Sequence, residues 1–396
     1  MASIVYITRD IERALGQKPG STDWGDYFIV ANKTPYAEEI QAQFPHNILL
    51  IDSSEALDTL DLLKHPEVED FISKLSASIL VFKNTKAIEE YAAQRGWNLL
   101  NPSSELAERV ENKITQVEWL AELASLLPPH KIAPTKDIVW EKNAFILQWA
   151  HSHTGDGTLL IQNEKDLTDL QKAFPNREAR VTQFIKGPMF TVNLVVTEKP
   201  LLMGNISYQI TGILPFTENP FSTIGNDWSL PATLLSPEHI AHIQKIAEKV
   251  GQKMQASGWR GLFGIDVIYD EERDNLHLIE INARQPASTT FESQLQEKNR
   301  EAGVPGITTF EAHLLALTRT PSVMPLVEIN DGAQIVQRVT VRTKIAPPFS
   351  HPSYTTIVYQ NSKLNADLLR IQGERGIMET HMKFNARGKE VIELLA

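Results

Sequence analysis

Residues 261–284 read GLFGIDVIYDEERDNLHLIEINAR, two apolar runs separated by an acidic turn, and this pattern predicts a β-hairpin. Side chains two apart on a strand point to the same face, so Glu280, Asn282 and Arg284 share one face of the second strand. Antiparallel pairing through the turn brings Asp266 of the first strand beside Glu280. Two carboxylates this close destabilise the hairpin unless a cation neutralises them. The stretch therefore predicts a cation site.

Magnesium is the cation that these side chains favour. It takes oxygen ligands, keeps several waters and bridges to substrate phosphates, so Asp266, Glu280 and Asn282 are its predicted ligands. Arg284 adds a fixed positive charge for an anionic group beside the metal. The competing interpretation is a polar, half-solvated strand face with a surface ion pair. Because all four side chains are embedded in otherwise apolar strands, we favour the functional interpretation.

The first 112 residues alternate short apolar runs with helical patterns, and the runs lie at 4–7, 27–30, 48–52, 78–82 and 98–100. This alternation predicts an α/β fold with a doubly wound parallel sheet. No G-x-G-x-x-G follows the first run, so dinucleotide binding is not supported there. Strands dominate residues 137–285, and a small C-terminal subdomain is expected after residue 320.

A polar, glycine-bearing loop lies between two apolar runs in residues 144–161. Gly155 and Gly157 permit tight turns and leave backbone N–H groups free to face phosphate oxygens, although most such pairs are ordinary hairpin turns. His151 and His153 do not predict a zinc site, because the chain has no cysteine and no third ligand lies nearby. These histidines are expected to bond phosphate or to line the loop.

The stretch VTQFIKG, residues 181–187, ends a strand with an apolar pair. Its backbone can read the edge of an adenine while Ile185 packs on the ring. A strand that simply runs into a turn explains the same residues.

Composition narrows the class of protein. The chain has 396 residues, no cysteine and a formal net charge of −11, which excludes disulfides and thiolate chemistry and disfavours broad contact with nucleic acid or an anionic membrane. There is no apolar run long enough for a transmembrane helix and no signal-peptide pattern at the N-terminus, so we expect a cytoplasmic protein that does not bind membranes.

The order of these pieces resembles the ATP-grasp superfamily of carboxylate–amine ligases and biotin-carboxylase-like enzymes. The hairpin is the most specific piece, because family members carry an acidic residue on its first strand and E-x-N-x-R on its second. The resemblance implies a pre-ATP-grasp domain, the two ATP-grasp subdomains and a small C-terminal subdomain, at residues 1–112, 113–180, 181–320 and 321–396.

The resemblance also implies roles for single residues. Asp266, Glu280 and Asn282 correspond to the magnesium ligands, and Arg284 to the residue that holds the reacting carboxylate or acyl phosphate. The implied ATP contacts are Lys113 for phosphate, the adenine hinge of Gln183, Phe184 and Ile185, and the mobile loop of Gly155, Asp156, Gly157 and Thr158.

Two positions depart from the family pattern. Gln148 stands where the family usually has a lysine, and glutamine can bond a phosphate without neutralising it. Lys113, His151 or His153 would then have to supply the missing charge. The hinge also lacks the usual acidic residue, since Thr182 and Gln183 stand there.

The segment 206–228 follows a strand and faces the acceptor substrate in the family. Our candidates for that wall are Ser207, Gln209, Asn226, Asp227 and Trp228. A packed surface loop is the alternative for the same segment.

The function that the resemblance implies is ATP-dependent ligation, in which a carboxylate is activated as an acyl phosphate and joined to an amine. ATP and Mg²⁺ are the expected cofactors, with Mn²⁺ as a substitute, and a homodimer is compatible with such an architecture. Two alternatives stay open. The first is carboxylation through carboxyphosphate, although the chain has no biotinylation-type Met-Lys-Met segment. The second is a non-catalytic nucleotide-binding protein, which Gln148 favours.

Overall fold

The computed structural model describes residues 3–22, 25–150, 157–198 and 200–395. None of the helices in these ranges combines the length and the apolar character needed to cross a membrane.

The N-terminal unit is a parallel sheet with helices on both faces. β3 pairs with β1 and β4 in parallel, β1 pairs with β5 in parallel, and the short β2 is antiparallel to the start of β3. This confirms the predicted doubly wound α/β architecture. The expected strand at 98–100 is reduced to an isolated bridge between Ile79 and Leu99. The elements are β1 (Ile4–Ile7), β2 (Gly20–Thr22), β3 (Gly25–Asn32), α1 (Pro35–Gln43), β4 (Ile48–Ile51), α2 (Thr59–Leu63), α3 (Pro66–Leu75), β5 (Ser78–Val81) and α4 (Lys86–Arg95).

Short polar residues set the ends of these helices. The side chains of Thr34, Asp58 and Thr85 accept hydrogen bonds from the first turns of α1, α2 and α4. Gly96 ends α4 at a φ of 68°, a left-handed conformation that glycine adopts without steric cost. The first strand is buried on both faces, as expected for a parallel strand covered by helices.

Two helices lead into a small antiparallel sheet. Its strand order is β6-β9-β7-β8, and Gln148 of β7 lies opposite Arg180 of β9. The elements are α5 (Ser104–Glu111), α6 (Thr115–Leu120), β6 (His130–Pro134), β7 (Phe145–Trp149), β8 (Thr158–Ile161), α7 (Glu164–Ala173) and β9 (Glu178–Gln183).

The rest of the chain builds a nine-stranded antiparallel sheet in the order β15-β14-β10-β12-β13-β16-β18-β17, with β11 paired to β10. Its strands are β10 (Met189–Val196), β11 (Leu201–Met203), β12 (Ser207–Thr211), β13 (Thr223–Asp227), β14 (Gly261–Asp270), β15 (Asn275–Asn282), β16 (Ala333–Arg338), β17 (Tyr354–Val358) and β18 (Asp367–Gly373). Its helices are α8 (Pro231–Leu234), α9 (Pro237–Ala256), α10 (Thr289–Glu301) and α11 (Thr309–Leu317). A final hairpin and helix are β19 (Met378–Thr380), β20 (Lys383–Phe384) and α12 (Ala386–Leu395).

The largest core lies between this sheet and α9. Alternate strand residues such as Val192 and Ile265 are fully buried against Ile243, Ala247 and Val250 of the helix. The opposite face of the same strands carries polar side chains, and it meets the small antiparallel sheet across a cleft. The strands β16 to β18 pair into the same large sheet, while the predicted domain boundaries themselves stay predictions.

Candidate active site

The two hairpin acids lie directly opposite each other, because Asp266 of β14 pairs with Glu280 of β15. Asp266 is 6% exposed. Its carboxylate accepts hydrogen bonds from Thr191 Oγ1 at 2.7 Å and from Asn282 Nδ2 at 3.1 Å, both neutral donors. Burial and the neighbouring Glu280 raise the pKa of Asp266 to about 6. The hairpin thus holds two acids at opposed positions, and one of them, Asp266, lacks a cationic partner among the described residues.

Glu280 has a cation, and it comes from a distant part of the chain. Lys113 Nζ lies 2.7 Å from Glu280 Oε1, and the lysine side chain is only 4% exposed. Burial opposes ionisation of Glu280, but Lys113, Arg284 and Arg180 together lower its pKa. Burial lowers the pKa of Lys113, and the ion pair with Glu280 opposes that change. The structure therefore brings Lys113 to the hairpin acids, and its predicted contact with phosphate stays a prediction.

Arg284 lies beside Glu111, an acid that the sequence analysis missed. Glu111, the last residue of α5, accepts from Arg284 Nη1 and from Lys83 Nζ, the latter at 2.7 Å. Burial would raise the pKa of Glu111, but Arg284 and Lys83 lower it below its usual value. A lysine that follows β5 of the N-terminal sheet thus converges with Arg284 on one carboxylate. Nothing local in the sequence indicates this contact, because the three residues lie far apart along the chain.

The residues around Asp266 suit a hard divalent cation. A buried carboxylate that faces a second carboxylate and has only neutral donors is stabilised by a cation between them. Magnesium needs few protein ligands, since waters and phosphates complete its shell. The part of the chain that the structure describes contains no group of three or more His, Asp or Glu placed to hold a metal. Two carboxylates and the Asn282 amide thus fit magnesium better than a metal that requires an all-protein cage.

The cleft above the hairpin is bounded by both sheets. Four isoleucines from different segments line an apolar slot in this cleft, namely Ile146, Ile185, Ile268 and Ile279. This slot can take a flat aromatic base. The predicted residues that line the same cleft are Gln148, Thr158, Gln183, Phe184, Gln209, Asp266 and Glu280. The structure therefore brings the predicted adenine segment and the hairpin acids to one cavity.

The glycine loop is described only at its end. His151, His153, Gly155 and Asp156 lie outside the described residues. The carbonyl of Gly157 accepts from the Trp149 amide at 3.0 Å, and Thr158 begins β8 in the cleft wall.

Arg180 is a third residue that the sequence analysis missed. Its side chain is 1% exposed and donates to Gln148 Oε1 from Nε at 3.1 Å and from Nη2 at 2.7 Å. A signal was available, because Arg180 and Thr182 alternate with the apolar residues Ala179 and Val181 along β9. The same reasoning that singled out Glu280 and Asn282 applies to that strand.

Three of the five acceptor candidates share the face of Asp266. Ser207 pairs with Thr191, which itself pairs with Asp266, so the three side chains point to one side of the sheet. Asn226 donates to Ser207 Oγ at 3.1 Å, and Gln209 lines the cleft. These residues extend the polar floor of the cleft across β12 and β13.

Asp227 and Trp228 do not lie in that wall. Asp227 is fully buried, and its carboxylate accepts from the backbone amides of Ser229, Leu230, Ile377 and Met378. Trp228 packs against Phe291 with ring centroids 5.8 Å apart. Both placements correct the prediction, because Asp227 alternates to the opposite face from Asn226 and Trp228 lies where the strand has ended.

Solved structures similar to this chain share its whole fold. N5-carboxyaminoimidazole synthetase from Staphylococcus aureus has a TM-score of 0.66 at 13% identity, with 100% of this chain and 97% of that chain covered. The biotin carboxylase domain of 2-oxoglutarate carboxylase from Hydrogenobacter thermophilus, solved with MgADP, ADP and bicarbonate, has a TM-score of 0.63 at 12% identity, with 94% and 86% covered. Identity this low supports the fold alone.

Sequence comparison points to the same group of proteins. The L-glutamate ligase of the butirosin acyl-carrier protein from Niallia circulans is 26% identical over 144 residues, which is 35% of this chain and 32% of that protein. The match thus spans about a third of that relative's length. A family model described as an ATP-grasp domain matches residues 110–288, the part that contains the cleft and the hairpin. Residues 110–288, which contain the cleft and the hairpin, are therefore an ATP-grasp domain.

Proposed function

We propose that the protein is an ATP-dependent ligase that activates a substrate carboxylate as an acyl phosphate and joins it to an amine. The observation that carries the proposal is the pair of opposed acids, Asp266 and Glu280, on the floor of the cleft that also contains the apolar slot. Lys113 and Arg284 lie beside these acids. The apolar slot fits a nucleotide base, the acids fit a metal that binds its phosphates, and the basic side chains fit a substrate anion.

In this proposal each group of residues has one task. The adenine lies in the apolar slot beside Gln183, Phe184 and Ile185, with the phosphates above the hairpin. Asp266, Glu280 and Asn282 would hold Mg²⁺, or Mn²⁺ in its place, and the bound metal would offset the negative charge of the phosphates. Gly157 and Thr158, at the start of β8, would contact the phosphates. We propose the same phosphate contact for His153 and Gly155.

The substrate carboxylate would lie beside Arg284 and Lys83, which are the two cations now sharing Glu111. Its oxygen bonds to the γ-phosphorus as the bond to the bridging oxygen of ADP breaks. The amine nitrogen then bonds to the acyl carbon, the bond from that carbon to the phosphate oxygen breaks, and the amine releases a proton. Ser207, Gln209 and Asn226 are the proposed floor for the acceptor.

The relatives support this chemistry and one neighbouring variant of it. A glutamate ligase that acts on an acyl-carrier protein is named among them, which agrees with amide formation. The similar structures include a biotin carboxylase domain solved with bicarbonate. Carboxylation through carboxyphosphate is therefore the second candidate, with bicarbonate in place of the organic acid beside Arg284.

The test is magnesium-dependent ADP release, measured against a panel of carboxylic acids and amines, with and without bicarbonate. We expect turnover that needs one acid and one amine, and we expect Glu280→Gln to lower it at least about a hundredfold because a metal ligand and the partner of Lys113 are lost. Glu271→Gln, in the exposed turn of the same hairpin, is the matched control and should behave as wild type.

Three results would count against these assignments. Unchanged turnover in Glu280→Gln contradicts the metal site. Turnover that depends on bicarbonate but on no organic acid selects the carboxylation variant, and wild-type protein that does not bind MgATP removes the proposal altogether.

A further inference from the structure

Arg180 is a fully buried cation whose hydrogen bonds go to neutral oxygens. Besides its two bonds to Gln148, the guanidinium donates from Nη1 to Gln116 Oε1 at 2.8 Å and from Nη2 to the Ile279 carbonyl at 3.3 Å. Within the described part of the chain, none of its bonds reaches a carboxylate. A buried charge is costly unless an opposite charge compensates it, so this site is arranged for an anion that the protein itself does not provide.

The nearest acid does not supply that compensation. Glu280 attracts the guanidinium, but its carboxylate is bonded to Lys113 at 2.7 Å. Arg180 thus has no hydrogen-bonded carboxylate of its own at the floor of the cleft, where the small sheet meets β15. Through Gln148, which lines the cleft, its charge acts on any anionic group that enters.

Gln148 lies between Arg180 and the cleft. Its Oε1 is held by two N–H groups of the guanidinium, which fixes the orientation of the amide. The Nε2 group is therefore turned toward Thr158 Oγ1, at 3.5 Å, on the cleft wall. The glutamine offers N–H donors to the cleft while its oxygen is polarised by a full positive charge behind it.

We propose that Gln148 and Arg180 together bind a phosphate group of ATP. The Gln148 amide donates a hydrogen bond to a phosphate oxygen, and the positive charge of Arg180, bonded to the other end of that amide, stabilises the phosphate electrostatically. Arg180 is in this scheme a positioning residue that does not touch the nucleotide. The inference rests on the proposed ATP-dependent function. It identifies Arg180 as the source of positive charge at position 148, where the ATP-grasp family usually has a lysine.

The first test places a compensating acid next to the guanidinium. Gln148→Glu keeps the size of the side chain and gives Arg180 the carboxylate that it lacks, so the protein should fold while the cation is cancelled. We expect the Kd for MgATP, measured by calorimetry, to rise at least about tenfold, with the Kd for adenosine within about threefold of wild type. Gln162→Glu makes the same charge change at an exposed position after β8 and should alter neither Kd.

The second test exchanges the two side chains. Gln148→Lys alone places two buried cations in contact and should weaken MgATP binding. Gln148→Lys combined with Arg180→Gln restores one cation and one neutral amide, and its Kd for MgATP should return to within about threefold of wild type.

Three outcomes would overturn the inference. These are an unchanged Kd for MgATP in Gln148→Glu, an equal loss of ATP and adenosine binding in that variant, or a double variant that binds no better than Gln148→Lys. Wild-type protein that fails to bind MgATP would instead refute the proposed function, so the two failures are distinguishable.

Discussion

At the scale of single residues, Asp227 shows how a polar side chain in a functional region can serve the fold alone. Its carboxylate caps the turn after β13 and also binds the backbone amides of Ile377 and Met378, 2.7 and 2.8 Å away. A buried carboxylate that accepts several N–H bonds is strongly preferred over an amide, which offers one acceptor oxygen. Asp227 therefore ties the end of β13 to the β19–β20 hairpin.

Asp227→Asn should destabilise the protein without affecting nucleotide binding. Two or more buried N–H groups lose their acceptor, so we expect the free energy of unfolding to fall by roughly 2–4 kcal/mol in urea titrations. The Kd for MgATP should stay within about twofold of wild type, because the carboxylate lies on the opposite face from the cleft. Asp137→Asn, at an exposed carboxylate, is the control. If Asp227→Asn instead had normal stability and weakened ATP binding, Asp227 would belong to the substrate site, as first predicted.

The residue scale also marks the limit of inference from one sequence. Asp266, Glu280 and Asn282 were placed together because two neighbouring strands and their spacing are sufficient to do so. Glu111 and Lys83 meet Arg284 only through tertiary packing between units far apart in the chain. No periodicity in the sequence encodes such a contact, so these two residues emerged only from the structure.

At the scale of elements, the link between the two sheets depends on a glycine. Gly187 follows the adenine segment and has a φ of 159°, and a Cβ at this position would lie 1.9 Å from the Tyr269 carbonyl oxygen. That oxygen belongs to the backbone of β14 and cannot move aside as a flexible side chain would. The close approach sets the path by which β9 leads into β10 and closes the cleft.

Gly187→Ala should therefore destabilise the protein much more than a comparable glycine change. Gly258 is the matched control, because its φ is 88° and nothing lies within 4 Å of its added Cβ. We expect Gly258→Ala to cost about 1 kcal/mol from backbone strain and Gly187→Ala to cost at least roughly 3 kcal/mol in urea unfolding. Equal losses in the free energy of unfolding for Gly187→Ala and Gly258→Ala would disprove the predicted collision with the Tyr269 carbonyl.

Elements were predicted best where local signals are strong. The parallel strands of the N-terminal sheet and the hairpin of β14 and β15 follow from apolar runs and turn residues. The run at 98–100 failed as a strand because pairing partners, rather than apolar content, decide whether a short segment joins a sheet.

At the scale of the whole molecule, the sequence did not reveal how distant segments share one sheet. A small C-terminal subdomain is predicted after residue 320, and the structure adds that its strands join the large sheet, where β16 pairs with β13 and β18 pairs with β16. The alternation of apolar and polar residues marks each strand separately, but it does not indicate which distant strand becomes its antiparallel partner. The helix α10 then connects this sheet to the N-terminal unit, with Gln294 Nε2 donating to the Leu15 carbonyl at 3.3 Å.

Glu292, in the first turn of α10, makes the stability of this arrangement dependent on pH. It is fully buried and accepts from Asn193 Nδ2 at 2.5 Å and from the Asn205 amide at 2.7 Å. Burial raises its pKa from 4.5 to about 7, against the effect of those hydrogen bonds. The folded state therefore holds this proton more tightly than the unfolded state, so the contribution is complete below about pH 4.5 and is lost as pH rises through about 7.

Comparison with Glu292→Gln isolates this contribution, because a glutamine keeps the side-chain shape and does not titrate. The free energy of unfolding of the wild type, minus that of the variant, should fall by roughly 3 kcal/mol between pH 4.5 and pH 8 in urea titrations. Glu301→Gln, at the exposed end of the same helix, should show no comparable trend. A wild-type-to-variant difference that is constant over this range would mean that Glu292 is already ionised in the folded protein, and its hydrogen bonds would then have to outweigh the cost of burying its charge.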